Sequence, residues 1–385
     1  MSTIINKRSP YYFKVHNSSL HKAKLQLYIW TGVTGDKSSS DLRYTITKQE
    51  VGTNNYVVFE LSQLIRDYME TEYNDYATDA LWVDATVTIF NASGTIVQVN
   101  SQNTTTTSFL ALDGYGYFED GINPRDTTTP MILQENTDVY YYDGQDIKIP
   151  VFAEAATVTV TLQSQGAADV NWEAADDFWE TNDSTWGSGS VAISITDNGN
   201  TNQKIQYVII EDTEDLTDGD TVTFSSNSSD YPDDVVITLK KVNECKFSPL
   251  NIIFYNKYGA LQNMWYFKKS MKDISVKSEK FKNNILDLGT GSTSPSYTTT
   301  KHQQKQFLVN GNESITVNTG FYPEDHNEIV RQKMLAELVW SDDLTNVLPI
   351  NLKSNTLRFK KSVNDKLISY TVQYDYAFDK INNIS

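Results

Sequence analysis

The segment that most restricts how this chain can fold runs from residue 313 to 378, where a strand, a helix and three strands follow one another. ESITVNTGF alternates apolar and polar residues, as a half-buried strand does. Pro323 and the acids after it are typical of a helix start, and apolar residues from Ile329 to Val339 then recur at helical spacing. The sequence therefore predicts a helix that packs one face against a sheet.

The predicted sheet is an antiparallel meander at the C-terminus. Its strands are VLPINLK, TLRFKK and KLISYTVQYDYAF, and short turns join them. The alternation predicts that one face of the last strand is buried, with the side chains of Ile368, Tyr370, Val372, Tyr374, Tyr376 and Phe378. Because so long a terminal strand risks leaving an unpaired edge, we expect a neighbouring subunit to cover it.

The composition is typical of a soluble, mainly β protein. A chain of 385 residues with 39% hydrophobic residues and 23 tyrosines is long enough for two or three domains with real cores. The N-terminus MSTIINKRSPYY has no apolar core, and no window approaches the length of a membrane span. We therefore expect neither a signal peptide nor membrane insertion. The single Cys245 excludes an intrachain disulfide framework and indicates synthesis in a reducing cytoplasm.

Three domains are predicted. Residues 1–128 form an N-terminal β-sandwich with a short helix, residues 129–243 form an acidic all-β module of seven strands, and residues 244–385 form an antiparallel sheet with one longer helix. The short helix is indicated by the helical spacing of Leu61, Leu64, Ile65, Tyr68 and Met69. Within residues 244–385 two hairpins are expected, one turning at residues 256–259 and one at Asn310 and Gly311.

The charge is unevenly distributed along the chain. Residues 111–240 carry 4 basic and 25 acidic residues, a net charge of −21, whereas residues 241–385 carry 19 basic and 14 acidic residues, a net charge of +5. Such an acidic surface repels phosphates, so we expect no sequence-specific nucleic-acid binding by the middle section. The alternative without a specific function is a solvated, solubilising exterior.

A catalytic constellation is not indicated. The four histidines, His16, His21, His302 and His326, are far apart in sequence, and no motif places one beside a nucleophile. We expect them on the surface. Carboxylates abound in the middle section, but a glycosidase would need two of them in one cleft. The sequence predicts a protein that is not an enzyme and has no cofactor.

Two other kinds of site remain open. Residues 197–200 and 212–220 cluster oxygen ligands that suit calcium, although both lack the EF-hand spacing, and solvated acidic turns are the alternative. Trp172, Trp179 and Trp186 occur in a long polar insertion, where indole faces can stack on sugar rings or contact a partner. Packing in a core or between subunits is the alternative for these tryptophans. Because the insertion is polar and flanked by glycine, we expect an exposed contact surface.

The C-terminal part resembles a known group of proteins. The phrases IIFYNKYGALQNMWYFKKS, ITVNTGFYPEDHNEIVRQKMLAELVW and VLPINLKSNTLRFKKSVNDKLISYTVQYDYAFDKINNI are similar to virion proteins of tailed bacteriophages of Bacteroidota-type hosts. The resemblance covers about residues 244–385, with some support from the first sandwich. It implies a structural component of the tail, in the baseplate or distal-tail region, and a fold similar to the ring-forming tail-tube and distal-tail proteins.

Two functions follow from these observations. The preferred one is a non-enzymatic virion protein, assembled in the host cytoplasm, that forms a homo-oligomeric ring or collar and contacts other tail or baseplate proteins. We expect contacts through residues 313–378, with the acidic modules at the periphery, because the opposite charges of the two sections favour head-to-tail contacts. The alternative is a receptor- or carbohydrate-binding module that recognises a host surface glycan.

Overall fold

The computed structural model divides the chain into two compact units. Unit 1 consists of Met1–Cys245, Ile253–Trp265 and Asp325–Glu337, and unit 2 of Lys246–Ile252, Tyr266–Glu324 and Leu338–Ser385. The structure describes residues 3–32, 34–73, 75–76, 81–101, 109–124, 129–152, 157–163, 190–196, 205–211, 216–242, 246–287, 294–354, 356–359 and 367–381. The predicted domain boundaries at 128 and 243 lie outside these residues.

The N-terminal part of unit 1 is a sheet whose strands follow the apolar alternation. Its elements are β1 (Thr3–Asn6), β2 (Tyr12–His16), β3 (Lys22–Trp30), β4 (Leu42–Gln49), β5 (Tyr56–Glu60), α1 (Ser62–Arg66), β6 (Leu81–Phe90), β7 (Ile96–Ser101) and β8 (Phe109–Leu112). The main sheet has the order β1, β8, β6, β3 and β4, and β7 also pairs with β6. β1 runs parallel to β8, a pairing that the sequence did not predict.

One face of this sheet is covered by the β2 and β5 pair and by α1. Alternate residues of β3 and β6, among them Leu25 and Val83, share a core with Phe13, Phe59 and Ile65 from the cover. Burying such side chains contributes about 2 kcal/mol each. The predicted sandwich with a short helix is therefore confirmed, although α1 spans only five residues.

The middle section of unit 1 contains all seven predicted strands. They are β9 (Asp138–Tyr141), β10 (Ile147–Phe152), β11 (Thr157–Gln163), β12 (Ser190–Thr196), β13 (Ile205–Ile210), β14 (Thr221–Ser226) and β15 (Val235–Lys241). β10 pairs with β13, and a second sheet has the order β12, β11, β14, β15 and β9. Side chains from both sheets meet in one core, which also takes in Trp30, Trp82 and Leu110 from the N-terminal sheet.

Two later segments return to unit 1. The first is the predicted hairpin of β16 (Leu250–Tyr255) and β17 (Leu261–Tyr266), whose residues from Ile253 to Trp265 belong to unit 1. The turn is confirmed, with Gly259 at a φ of +81°. A side chain is excluded at Gly259, since a Cβ there would lie 2.8 Å from the backbone carbon of Asp113.

The second returning segment is α2 (Asn327–Met334), which follows a 3-10 turn at Glu324–His326. Its polar side chains bind residues of unit 1: the Tyr117 hydroxyl donates to Glu328 at 2.6 Å, and the Lys257 amide donates to Gln332 at 3.2 Å. These hydrogen bonds join the helix to Met1–Cys245 and Ile253–Trp265, the segments with which it forms unit 1.

Unit 2 is built on an antiparallel sheet. Its strands are β18 (Met271–Lys282), β19 (Leu286–Asp287), β20 (Ser296–Tyr297), β21 (Gln304–Asn318), β22 (Tyr322–Pro323), β23 (Val339–Asp342), β24 (Val347–Leu352), β25 (Leu367–Ile368) and β26 (Thr371–Tyr376). Within the unit the order is β23, β24, β26, β21 and β18. β19 pairs with β20, and β22 pairs with β25. The mainly β, multi-sheet fold class is confirmed.

Two predictions about this sheet are wrong. The middle strand of the meander does not form in residues 356–359, and β24 instead pairs directly with β26 through Ile350 and Tyr376. β26 consequently lies between β24 and β21 and has no free edge, contrary to the expectation for the terminal strand. Its predicted burial is confirmed as far as Tyr376, whereas Phe378 is exposed.

The predicted turn at Asn310 and Gly311 is also wrong. Both residues lie inside β21, which continues for 15 residues and pairs along β18. A Cβ on Gly311 would lie 3.1 Å from the Ile274 side chain on β18, so the missing side chain makes room for this neighbour. Pairing along the whole of β18 has overridden a local turn signal.

Candidate functional site

The predicted contact residues lie outside the described part of the chain. They are Trp172, Trp179 and Trp186, and the first calcium candidate at residues 197–200 lies outside it as well. The carbohydrate-binding alternative based on these tryptophans therefore stays a prediction.

The second calcium candidate is described only in part. Asp220 is buried, and its carboxylate accepts hydrogen bonds from the amide and hydroxyl of Thr217 at 2.8 and 2.6 Å. Asp218 accepts a hydrogen bond from the Lys241 amide at 3.0 Å. These carboxylates thus hold turns. Within the described ranges, no group of three or more His, Cys, Asp or Glu residues is placed to hold a metal ion.

The expectation of surface histidines is wrong for His326. His16 and His302 are exposed and His21 is half-buried, but His326 is only 4% exposed. The Asn136 amide nitrogen lies 3.0 Å from its Nδ1, and the Tyr140 ring packs edge-on against it. Because an amide nitrogen only donates, Nδ1 accepts. Burial lowers the pKa of His326 to about 4, so the folded protein holds it neutral at pH 7.

The most conspicuous exposed surface is a ribbon of β18 and β21 that extends past the rest of the sheet. β21 pairs with β26 from Ser314 to Asn318, and the chain end then supports it further, as the Lys380 amide donates to the Gly311 carbonyl at 2.7 Å. The Ile381 amide donates to the Asn310 side chain at 3.1 Å. We call residues 277–310, which begin and end at the last strand pair that the chain end supports, the arm.

A β-bulge marks the base of the arm. Lys277 pairs with Asn310 but Glu279 pairs with Phe307, so β21 carries an extra residue at this point. Leu308, in the bulge, has a φ of +49° and is 73% exposed. Bulges bend and twist a strand pair. This bulge therefore sets the direction in which the arm leaves the sheet.

The two faces of the arm differ in chemistry. Phe281 and Phe307 share one face, where their rings meet edge to face at 5.7 Å, and their direct partners Lys305 and Glu279 lie on the same face. The opposite face carries polar and basic side chains, since Lys280 pairs with Gln306 and Lys282 pairs with Gln304. The apolar side chains of the arm that are exposed are Phe281, Leu286, Tyr297, Phe307, Leu308 and Val309.

The arm is also basic and long. It contains five lysines against two acidic residues, a net charge of +3. Its paired strands span about 20 Å at the usual rise per residue. An exposed ribbon with two aromatic rings on one face and lysines on both faces is suited to bind another macromolecular surface.

The sequence analysis missed the arm. Its signal is the segment MKDISVKSEKFK, in which lysine recurs every few residues among apolar ones, followed after the Gly/Ser/Thr loop by KHQQKQFLV. The Asn310 and Gly311 pair predicts a short turn instead, which divides the long partner strand β21 into two. Equal strand-forming lengths on both sides of the loop would have indicated a ribbon.

Over the described residues, no helix is long and apolar enough to cross a membrane.

No protein-family model matches the chain, and no curated protein matches it at a significant level.

Proposed function

We propose that this chain is a non-enzymatic structural protein of a tailed-phage virion, a tail or baseplate component that assembles in several copies and contacts neighbouring tail proteins. The observation that carries the proposal is the arm. Every residue of β18 is exposed, and apolar side chains lie open on the paired strands of the arm. Exposed apolar surface of this kind marks association sites. The resemblance of residues 244–385 to phage virion proteins supports the same function.

A two-stranded ribbon such as the arm is stabilised when another surface covers it. A two-stranded ribbon with no other layer is marginally stable in water, because neither face is removed from solvent. A neighbouring surface that covers Phe281 and Phe307 would bury apolar area worth about 25 cal/mol per Å². Assembly therefore stabilises the arm and the contact at the same time.

The charges indicate which surface covers the arm. Lysines on β18 disfavour pairing between the edges of two arms, since like charges would face each other. Residues 111–240, with 4 basic and 25 acidic residues, offer the opposite charge. The arm of one copy therefore contacts the acidic section of a second copy. Such head-to-tail contacts close into a ring when the rotation permits.

A shortened arm tests the proposal. Because Lys277 and Asn310 are directly paired, an Asn-Gly turn can replace residues 278–309 without changing the pairing below. We expect the natural chain to form multi-copy assemblies and the shortened chain to remain monomeric with an unchanged melting temperature. Light scattering and thermal unfolding measure the two properties.

Charge reversal separates electrostatics from shape. The double variant Lys280→Glu with Lys282→Glu should assemble less, and its assembly should depend less on salt concentration. The control is Lys14→Glu with Lys246→Glu, which makes an equal change in charge at exposed lysines outside the arm and should have little effect on assembly. Assembly of the shortened chain at the natural level would contradict the role of the arm. A strict monomer, both alone and mixed with neighbouring tail proteins, together with one copy per particle in a reconstruction, would contradict the structural function itself.

A further inference from the structure

The most exposed apolar side chains of the acidic section lie in one loop. Within the described part of residues 111–240, Phe118 is 98% exposed and Ile122 is 77% exposed, whereas Ile209 and Val236, the next in order, are each 46% exposed. The loop follows β8 and begins with a 3-10 turn at Phe118–Asp120. We call residues 117–124 the tip loop. Two such side chains in one short loop mark a contact site.

The first half of the tip loop is fixed by hydrogen bonds within unit 1. The Gly116 amide, just before the loop, donates to the Ser9 hydroxyl at 2.7 Å. The Asp120 carboxylate accepts from the Tyr117 amide at 2.7 Å, and the Asp120 amide donates back to the Tyr117 carbonyl at 3.1 Å. These bonds close the turn that carries Phe118, so its ring is held out in solvent by a defined backbone.

The second half of the tip loop is attached to β2. Asn123, next to Ile122, has a φ of +52°. Its side chain accepts from the Tyr12 amide at 2.7 Å and donates to the Tyr12 carbonyl at 3.0 Å. A loop that is already ordered loses little conformational entropy when a partner covers it, which favours binding.

The chemistry of the tip loop is complementary to that of the arm. The tip loop contains Glu119 and Asp120 and no basic residue, a net charge of −2, whereas the arm has a net charge of +3. The arm presents the exposed rings of Phe281 and Phe307 on one face, and Lys305 lies on the same face. Apolar side chains beside an acid therefore match aromatic rings beside a lysine.

We propose that the tip loop is the surface on which the arm of a second copy docks, with Phe118 and Ile122 covering Phe281 and Phe307. The inference rests on the proposed function, because it names the place in the acidic section that the arm contacts. The apolar side chains form the centre of the contact and the charges form its rim. Each copy supplies one arm and one tip loop, so the contacts run head to tail.

A change of the two apolar side chains is the first test. Phe118→Thr with Ile122→Thr, the tip variant, should weaken self-association at least about tenfold. Its melting temperature should be unchanged, because both side chains are exposed. Ile209→Thr with Val236→Thr is the matched control, since it makes the same kind of change at exposed residues of the acidic section outside the tip loop. Sedimentation velocity and thermal unfolding measure the two properties.

Mixing two defective chains identifies the contact itself. The tip variant keeps its arm, and the shortened chain, in which an Asn-Gly turn replaces residues 278–309, keeps its tip loop. We expect each to be monomeric alone and the mixture to form a complex with one copy of each. A chain that carries both changes should bind neither of them.

The outcomes separate this contact from the proposed function. Association of the tip variant at the natural level, or no complex in the mixture, would overturn the tip loop as the docking surface, while a monomeric shortened chain would still support the arm. A natural chain that is monomeric alone would also overturn the contact, and binding to neighbouring tail proteins would then decide the structural function. If the tip variant has a lower melting temperature, Glu119→Lys replaces it, because it reverses an exposed charge and should weaken association about threefold.

Discussion

β26 and β18 pair with opposite edges of the same strand, β21, and their side chains meet opposite environments. In β26, Val372, Tyr374 and Tyr376 are buried, and the residues between them face outward. All twelve residues of β18 are exposed. β26 lies between β24 and β21, whereas β18 is an edge strand of the described sheet, and no layer covers either face of β18 among the described residues. Membership of a sheet thus does not decide whether a strand supports the fold or remains available for a partner.

The largest expected effect is on the free energy of unfolding, when a tyrosine ring is removed either from β26 or from the arm. Tyr374 is buried, with its hydroxyl 3.4 Å from that of Tyr266, whereas Tyr297 in the arm is 62% exposed. Tyr374→Ala should lower the free energy of unfolding by about 3–5 kcal/mol, as large-to-small changes in cores do. Tyr297→Ala should change it by less than about 0.5 kcal/mol. Urea unfolding of dilute, unassembled protein measures both.

Equal losses for the two tyrosine variants would break the comparison. A large loss for Tyr297→Ala would mean that the arm is covered within the monomer. A small loss for Tyr374→Ala would mean that the buried tyrosine pair contributes little to unit 2.

The same contrast explains which parts of the fold the sequence could predict. The seven middle strands and the turn at Gly259 were predictable, because each depends on local alternation or on one residue that must adopt a positive φ. The passage of β21 through Asn310 and Gly311 was not predictable from local signals. It depends on pairing with a strand that lies some 30 residues away in sequence. The position of α2 in unit 1 likewise depends on distant partners, such as Tyr117 for Glu328.

The buried histidine and the arm show the same division. The burial of His326 follows from the Asn136 and Tyr140 contacts rather than from its own sequence neighbourhood. Exposure of the arm, in contrast, has a local signal in the frequent lysines of β18, which edge strands use to avoid pairing.

The second comparison uses two turns, one covered and one open. Gly259 and Gly94 have nearly the same φ, +81° and +80°, but the Cβ of an added side chain would meet the Asp113 backbone at 2.8 Å only at Gly259. Both alanine variants lose about 1 kcal/mol from the left-handed backbone. Gly259→Ala should lose about 2 kcal/mol more, because backbone must shift to relieve the contact. Thermal unfolding measures the difference, and equal losses would show that the turn can move away from Asp113 freely.

The smallest expected effect is on the pH dependence of the free energy of unfolding, compared at one buried and one exposed histidine. His326 is buried in unit 1 and His302 is exposed in the arm. Burial lowers the pKa of His326 from 6.5 to about 4, so below pH 6.5 the unfolded chain binds a proton that the folded chain does not. The folded state therefore loses stability as the pH falls from 6.5 towards 4, by about 2 kcal/mol between pH 8 and pH 5.

Variants of these histidines isolate that contribution from the carboxylates. His326→Gln removes the titrating group, so its loss of unfolding free energy between pH 8 and pH 5 should be about 2 kcal/mol smaller than that of the natural chain, even if the variant is less stable throughout. His302→Gln, the same change at an exposed histidine, is the matched control. Urea unfolding at pH 8, 6.5 and 5 gives the three profiles. Parallel profiles for His326→Gln and the natural chain would show that the buried histidine titrates as freely as an exposed one, and that the contrast between covered and open surfaces does not extend to protonation.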